Sequence, residues 1–353
     1  MAHQPEAAAP SPGQDPGGPA PTFHPRQPAR RTYAALDLGT NNCRLLVARP
    51  AGDGFVVVDA FSRIVRLGEG LGATGRLSDV AMDRAVAALA ICADKLRRRH
   101  VTLVRSVATE ACRRAVNGRA FVERVHAETG IQLEIITAEQ EARLAVIGCH
   151  ALLEAGDGPA LIFDIGGGST ELVLIDPTGE DPRILDWFSA PWGVVSLTES
   201  EPHEGDSAEA RGAAYARMKG RVAAAFAGFA EGLAQRGDVP LRLLGTSGTV
   251  TTLASLHLEL PSYDRRAIDG LIVPAAAMRG ISTRLSTMSQ AERATLACIG
   301  HERADLVVAG CAILDAILDI WPAERLGVAD RGIREGILRS LIARDQPGAS
   351  RRA

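Results

Sequence analysis

Two stretches of the chain, ALDLGTNNCRLLVARP at 35–50 and IFDIGGGSTELVLIDP at 162–177, align without a gap. Asp37 falls on Asp164, Gly39 on Gly166 and Pro50 on Pro177. Each stretch reads as an apolar strand, Asp-x-Gly, a small polar loop and a second apolar strand. Such a duplication narrows the fold sharply, because it predicts two halves of like topology that face each other. Three glycines in a row would weaken an ordinary strand, so a local need such as a turn or a close backbone approach must lie behind them.

The pattern between and beyond the repeats predicts alternating strands and helices. Strands are expected at 33–36, 44–48, 54–66, 101–107, 132–136, 160–163, 171–175 and 241–244. Ser78 opens a helix with apolar residues at helical spacing and a basic last turn, and Asn117 caps another that ends on Gly130. Further helices are predicted over 138–149 and about 207–235, with mostly helical sequence to the end. Strands alternating with helices mean α/β layers.

Composition excludes several classes. A chain of 353 residues has room for two cores, and 46% apolar with 23% charged residues is ordinary for a soluble globular protein. No apolar run reaches the ~18–20 residues of a membrane span, and no signal peptide opens the chain. A net charge of −3 argues against nucleic acid as a partner. The six cysteines (43, 92, 112, 149, 298 and 311) lack metal-like spacing and sit in apolar surroundings, as buried thiols of a cytoplasmic protein would. Lys95 and Lys219 are the only lysines among 39 basic residues. So uniform a bias reads as genome composition, and no arginine counts as a ligand merely for being one. Residues 1–30 hold eight of the 19 prolines and predict a disordered tail.

The chemistry follows from the loops. Glycine-rich turns bare backbone N–H groups that can cradle phosphate oxygens, and an aspartate beside them can hold Mg²⁺ directly or through water. A third element, LRLLGTSGTVTTLASLHL at 241–258, places a GTSGT loop ahead of a helix N-terminus. Glu110 and Glu139 both stand where a strand hands over to a helix, the end of an α/β sheet at which ligand sites gather. Glu141, two residues on, is expected to point elsewhere and to be structural. Arg63, Arg66, Arg113, Arg114 and Arg303 are candidate substrate contacts. There is no Walker A motif, no G-x-S-x-G and no H-E-x-x-H.

These residues resemble a known family. The duplicated Asp-x-Gly hairpins and the GTSGT loop look like the nucleotide-phosphate loops of the actin-like superfamily. Within it, VATEACRRA, ITAEQEARLA, DIGGGSTELV, GTSGTVTTLA, ERADLVVAG and GIREGIL together are similar to the exopolyphosphatase and guanosine pentaphosphate phosphohydrolase (Ppx/GppA) family, over about residues 32–343. The resemblance implies two actin-like (ribonuclease H-like) α/β domains with a cleft between them. The expected division is a tail over 1–31, domain I over 32–137, domain II over 138–330, a helix over 331–343 that joins domain I, and a tail over 344–353.

It also implies a Mg²⁺-dependent hydrolase that removes the terminal phosphate of polyphosphate, pppGpp or both. Carried over by motif, Asp37 and Asp164 would hold the metal together with Glu139. Gly39, Thr40, Asn41, Gly166, Gly167, Gly168, Ser169, Gly245, Thr246, Ser247 and Gly248 would bind phosphate, as would Arg66, Arg113 and Arg303. Glu110 is expected as the base and Glu139 as the metal or water-positioning partner, the two roles being exchangeable. The resemblance leaves room for a homodimer. The chain stops soon after GIREGIL, so the further C-terminal helical region of longer members is not expected. Exopolyphosphatase is the leading reading; a pppGpp 5′-phosphatase, a weakly catalytic alarmone sensor and, more distantly, a kinase are the alternatives.

Overall fold

The computed structural model describes Met1 and residues 31–345 except 53, 180, 181, 204, 206, 238 and 239. Apart from Met1, Arg31, Arg344 and Asp345, the tails expected over 1–31 and 344–353 lie outside these residues. The first half of the chain runs β1 (Tyr33–Leu38), β2 (Asn42–Ala51), β3 (Gly54–Ile64), α1 (Leu71–Thr74), α2 (Asp79–Arg98), β4 (Leu103–Ala108), α3 (Glu110–Arg114), α4 (Gly118–Thr129) and β5 (Leu133–Ile135). Helix α5 (Ala138–Cys149) leads into the second half. There follow β6 (Ala160–Ile165), β7 (Thr170–Asp176), β8 (Arg183–Ala190), α6 (Val194–Ser200), α7 (Ala208–Ala234), β9 (Arg242–Thr246) and α8 (Gly248–His257). The chain closes with α9 (Arg265–Ile268), β10 (Ile272–Pro274), α10 (Ala275–Thr287), α11 (Gln290–Ala294), α12 (Val307–Ile320), β11 (Arg325–Ala329) and α13 (Ile333–Asp345).

The duplication seen in one hairpin extends to whole sheets. The first is ordered β3-β2-β1-β4-β5, and the second, read from its β8 edge, β8-β7-β6-β9-β11 with β10 added at the far side. In both, the first hairpin is antiparallel and its leading strand pairs in parallel with a later one, β1 with β4 and β6 with β9. Three strands go unpredicted from the sequence: β8, β10 and β11. The last is five residues long, carries Gly327 and is buried at four positions, so it offers no alternating pattern to read. Each half has its own outer core. Ala34, Leu36, Leu38, Leu45 and Val47 pack against α2 in the first; Leu161, Phe163, Ile165, Leu172 and Leu174 pack among α7, α8 and α12 in the second.

Strand periodicity decides which residues face inward between the sheets. Successive strand side chains alternate faces. With Leu36 and Leu38 in the outer core, Tyr33, Ala35 and Asp37 lie on the inner face; so do Ala160, Ile162 and Asp164 of β6. The partner strands put Arg44 opposite Asp37 and Glu171 opposite Asp164, also on the inner faces. An acid that interrupts a buried strand is thereby brought, in both halves, to the same end of the same face.

Helices α5 and α13 fill the space between the inner faces. Leu144, Ile337, Leu338 and Ile342 cover Tyr33, Ala35 and Leu46, while Ala142, Val146 and Cys149 cover Ala160, Ile162 and Val173. The two helices cross almost backbone to backbone. A Cβ on Gly148 would lie 2.0 Å from the Gly332 carbonyl oxygen, and one on Gly336 would lie 2.0 Å from that of Leu144. All six cysteines are free thiols, five of them buried. Among the described residues no helix is long and apolar enough to cross a membrane.

Candidate active site

The two repeat loops close with the same bond. The Gly39 N–H donates to the Asn42 carbonyl at 2.8 Å, and the Gly166 N–H to the Ser169 carbonyl at 2.9 Å. The loops also touch across the cleft. A Cβ on Gly167 would come within 3.0 Å of the Asn41 nitrogen and of Thr40 Cβ; one on Gly168 would meet Thr40 Oγ1 at 2.7 Å and Glu110 Cγ at 3.0 Å. None of Gly166, Gly167 and Gly168 has a positive φ. The triple glycine therefore answers a need for clearance, letting one loop pass against the other.

Five carboxylates gather around this contact. Asp37, Glu110, Glu141 and Asp164 line the cleft, and Glu171 stands behind Ser169. Burial raises the pKa of Asp37, with Arg44 and Arg334 opposing. Burial and the Glu171 charge push Asp164 up to about 8, against the pull of Arg44. Glu141 is held well above the usual carboxylate range by burial and by Glu171, with Arg113 opposing. Arg113 binds two acids at once: Nη2 and Nε donate to Glu110 Oε2 at 2.6 and 3.1 Å, while Nη1 donates to Glu141 Oε2 at 3.1 Å and to the Ile136 carbonyl at 2.8 Å.

The structure brings most, but not all, of the expected residues together. Asp37, Gly39, Thr40, Asn41, Glu110, Asp164, Gly166, Gly167, Gly168, Ser169, Ser247, Gly248 and Arg303 line one cleft. Glu139 does not: its side chain is 58% exposed and lies 3.8 Å from Arg143 on the outer side of α5. Glu141, expected to point away, takes the place at the cleft. The capped N-terminus of α5 at Thr137 sets this phase, putting Glu141 in the buried stripe with Leu144, Ala145 and Gly148. An acid inside an apolar stripe was the available signal.

Arginine placement also differs from expectation. Arg113 spends its donors on carboxylates and Ile136. Arg66, held at φ +45°, forks onto Asp305 at 2.7 and 3.2 Å, joining the first half to the second. Neither lines the cleft. Arg44, not singled out from the sequence, does line it, and among the described residues its side chain makes no hydrogen bond or ion pair. Gly245 and Thr246 belong to β9. A Cβ on Gly245 would meet the Phe163 ring at 2.6 Å, and the Thr246 hydroxyl donates to the Arg331 carbonyl at 2.7 Å. Ser247 caps α8 by accepting from the Thr249 and Val250 N–H groups, in a φ +149° conformation that glycine ordinarily occupies. Thus α8 presents its N-terminus to the cleft.

The donor set suits a hard divalent cation. Asp37 Oδ1 is buried without a hydrogen-bond partner, as a metal-directed oxygen would be. The five carboxylates outnumber the nearby cations Arg44, Arg113, Arg303 and Arg334. Among the described residues no three acids, histidines or cysteines form a closed cage. Magnesium commonly binds through one or two carboxylates, completing its shell with water and substrate phosphates.

Comparison with known proteins extends these findings to the whole fold. Residues 46–345 match the model of the Ppx/GppA phosphatase family. The chain is 34% identical over 328 residues to exopolyphosphatase 2 of Mycobacterium tuberculosis, covering 87% of this chain and 98% of that protein. It is 29% identical to the guanosine-5'-triphosphate,3'-diphosphate pyrophosphatase of Aeromonas salmonicida, over 88% of this chain and 59% of the longer relative. The crystal structure of the Aquifex aeolicus Ppx/GppA family member superposes with a TM-score of 0.71 at 27% identity, over 90% of this chain and 99% of that one.

Proposed function

The chain belongs to the Ppx/GppA phosphatase family, and from that premise we propose that it is an exopolyphosphatase, releasing orthophosphate from the end of inorganic polyphosphate. The observation that carries this reading is the cleft itself: two acid-bearing loops in matching register, closed on one side by a glutamate pair tied through Arg113. In this reading the Gly39–Asn42 and Gly166–Ser169 turns and the N-terminus of α8 surround the terminal phosphates. Arg44 and Arg303 offset their charge. Asp37 and Asp164 would hold Mg²⁺, which supplies charge neutralisation at the phosphate oxygens when bound.

Glu110 and Glu141, both held by Arg113, form the site that takes the proton of the attacking water. A carboxylate with a raised pKa suits that task at neutral pH. The water oxygen bonds to the terminal phosphorus, the bridging P–O bond breaks, and the shortened chain leaves with that oxygen. Both glutamates stay oriented because Arg113 is fastened to the Ile136 carbonyl as well as to them.

A second reading, hydrolysis of pppGpp, is favoured by the likeness to the Aeromonas pyrophosphatase over 88% of this chain. Phosphate release by purified protein on polyphosphate and on pppGpp, each with Mg²⁺ and with chelator, separates the two. Mg²⁺-dependent release from polyphosphate is expected. Release from pppGpp alone would move the assignment to an alarmone phosphatase, and release from neither would defeat the hydrolase reading.

A further inference from the structure

Arg293 is 1% exposed, an arginine sealed inside the second half, and it does not line the cleft. Its place is fixed by α11, a five-residue helix closed at its start by Ser289 and Glu292, each of whose side chains accepts from the other's backbone N–H. From there the guanidinium sends its donors to separate parts of the chain. Nε donates to the Ala304 carbonyl at 2.8 Å, and Nη1 to the Met288 carbonyl at 2.6 Å. Nη1 also lies 3.3 Å from His203 Nδ1. The Ser286 carbonyl, 2.8 Å from His203 Nε2, can only accept, so Nε2 carries the ring proton and Nδ1 is an acceptor for Arg293.

The neighbours of Ala304 give this contact its weight. Residues 295–306 join α11 to α12 with no helix or strand of their own. Within four of them, 302–305, the chain meets both the first half and the cleft. Arg66 of the first half donates to the Glu302 carbonyl at 3.3 Å and forks onto Asp305. Arg303, between those two, lines the cleft and donates from Nη1 to the Thr252 hydroxyl at 3.3 Å. Arg66 thus holds this turn from across the cleft, and Arg293 holds it from within. We propose that Arg293 is a positioning residue for Arg303: by tying Ala304 back to Met288 and His203, it fixes the turn from which Arg303 reaches the terminal phosphates. Lysine is a poor substitute, because Nε and Nη1 are separate donors in a rigid fork and an ammonium offers one nitrogen for both carbonyls.

This inference rests on the hydrolase reading, in which Arg303 contacts polyphosphate, and steady-state kinetics with trypsin digestion test it. Arg303→Ala is expected to raise KM for polyphosphate at least about tenfold, as loss of a charge-assisted bond would. Arg293→Lys should raise KM about fivefold or more with kcat within about threefold, whereas a misfolded fraction would lower kcat and leave KM alone. Because Arg293 acts through Arg303, adding Arg293→Lys to Arg303→Ala should raise KM less than about threefold more. In Arg293→Lys, trypsin should cut after Arg303 at least about fivefold faster, with cutting after the exposed Arg98 on α2 unchanged. Arg293→Gln removes the buried charge together with the fork, and it gives the same comparison if the Lys variant does not fold.

Multiplying losses in the double variant would overturn the proposal. So would faster trypsin cutting at every site alike, which would make Arg293 a general support of the fold. An unchanged KM in Arg303→Ala would remove the contact that Arg293 positions, and the proposal with it. Wild-type protein inactive on both substrates would remove the hydrolase reading and this inference together; an active wild type with a normal KM in Arg293→Lys removes the inference alone.

Discussion

Replacing Glu141 and Glu139 separately by glutamine tests the most consequential feature of the cleft. The two acids are two residues apart on α5, yet one faces Arg113 at 3.1 Å inside and the other faces solvent. Glutamine at 141 keeps an oxygen to accept from Arg113 Nη1, so the geometry of Arg113 and Glu110 should survive and only basicity is lost. Removing one of the two carboxylates at the base position is expected to lower kcat at least about 100-fold, equivalent to about 2.7 kcal/mol of transition-state stabilisation. Glu139→Gln should stay within about threefold of wild type, because its nearest charge is an exposed Arg143 in the next turn. Stability should move the other way. A buried Glu141 anion faces the like charges of Glu171 and Asp37, so neutral glutamine should leave the melting temperature unchanged or higher. The assay is phosphate release from polyphosphate at saturating Mg²⁺, paired with calorimetry. Equal losses in both variants, or a Glu141→Gln enzyme within threefold of wild type, would refute the placement of the base.

Three further outcomes follow from other contacts. Arg66→Ala and Asp305→Ala should each destabilise by under about 1 kcal/mol, since the pair is partly exposed, and the double variant by no more than either alone; chemical denaturation reads this, and additive losses would mean that the two act separately. Gly336→Ala and Gly148→Ala should each cost about 1–3 kcal/mol or more, because a methyl group would sit 2.0 Å from backbone where α5 and α13 cross; an unchanged urea midpoint would contradict that close crossing. Burial lowers the pKa of His203, and the neighbouring Arg293 charge acts with it against the Ser286 carbonyl. With the folded pKa below that of the unfolded chain, the neutral ring contributes stability that is full above about pH 6.5 and is lost as pH falls through the folded value. His203→Gln should flatten the acid-side loss of melting temperature, and a slope identical to wild type would exclude His203 as a source.

Much of the architecture was legible in local sequence because it depends on local physics. The repeat at 35–50 and 162–177 announced two like halves, and periodicity marked α2, α4 and α5 with their ends. The aspartates of the two loops could be picked out because an acid inside an apolar strand has few structural reasons to be there. What the sequence left open depends on neighbours distant in the chain. Strand β11 is short and buried in the second sheet, so nothing in its own five residues signals a partner. The arginines Arg66, Arg113 and Arg44 look alike in sequence, and only tertiary contacts divide them. Asp305 takes the first, Glu110 and Glu141 take the second, and the third is left facing the cleft. The same holds for the glutamates of α5. Their identities and helical setting were readable at once, but which of them reaches the cleft was decided by the packing of α5 between two sheets and α13, because only that packing sets which side of the helix is inside.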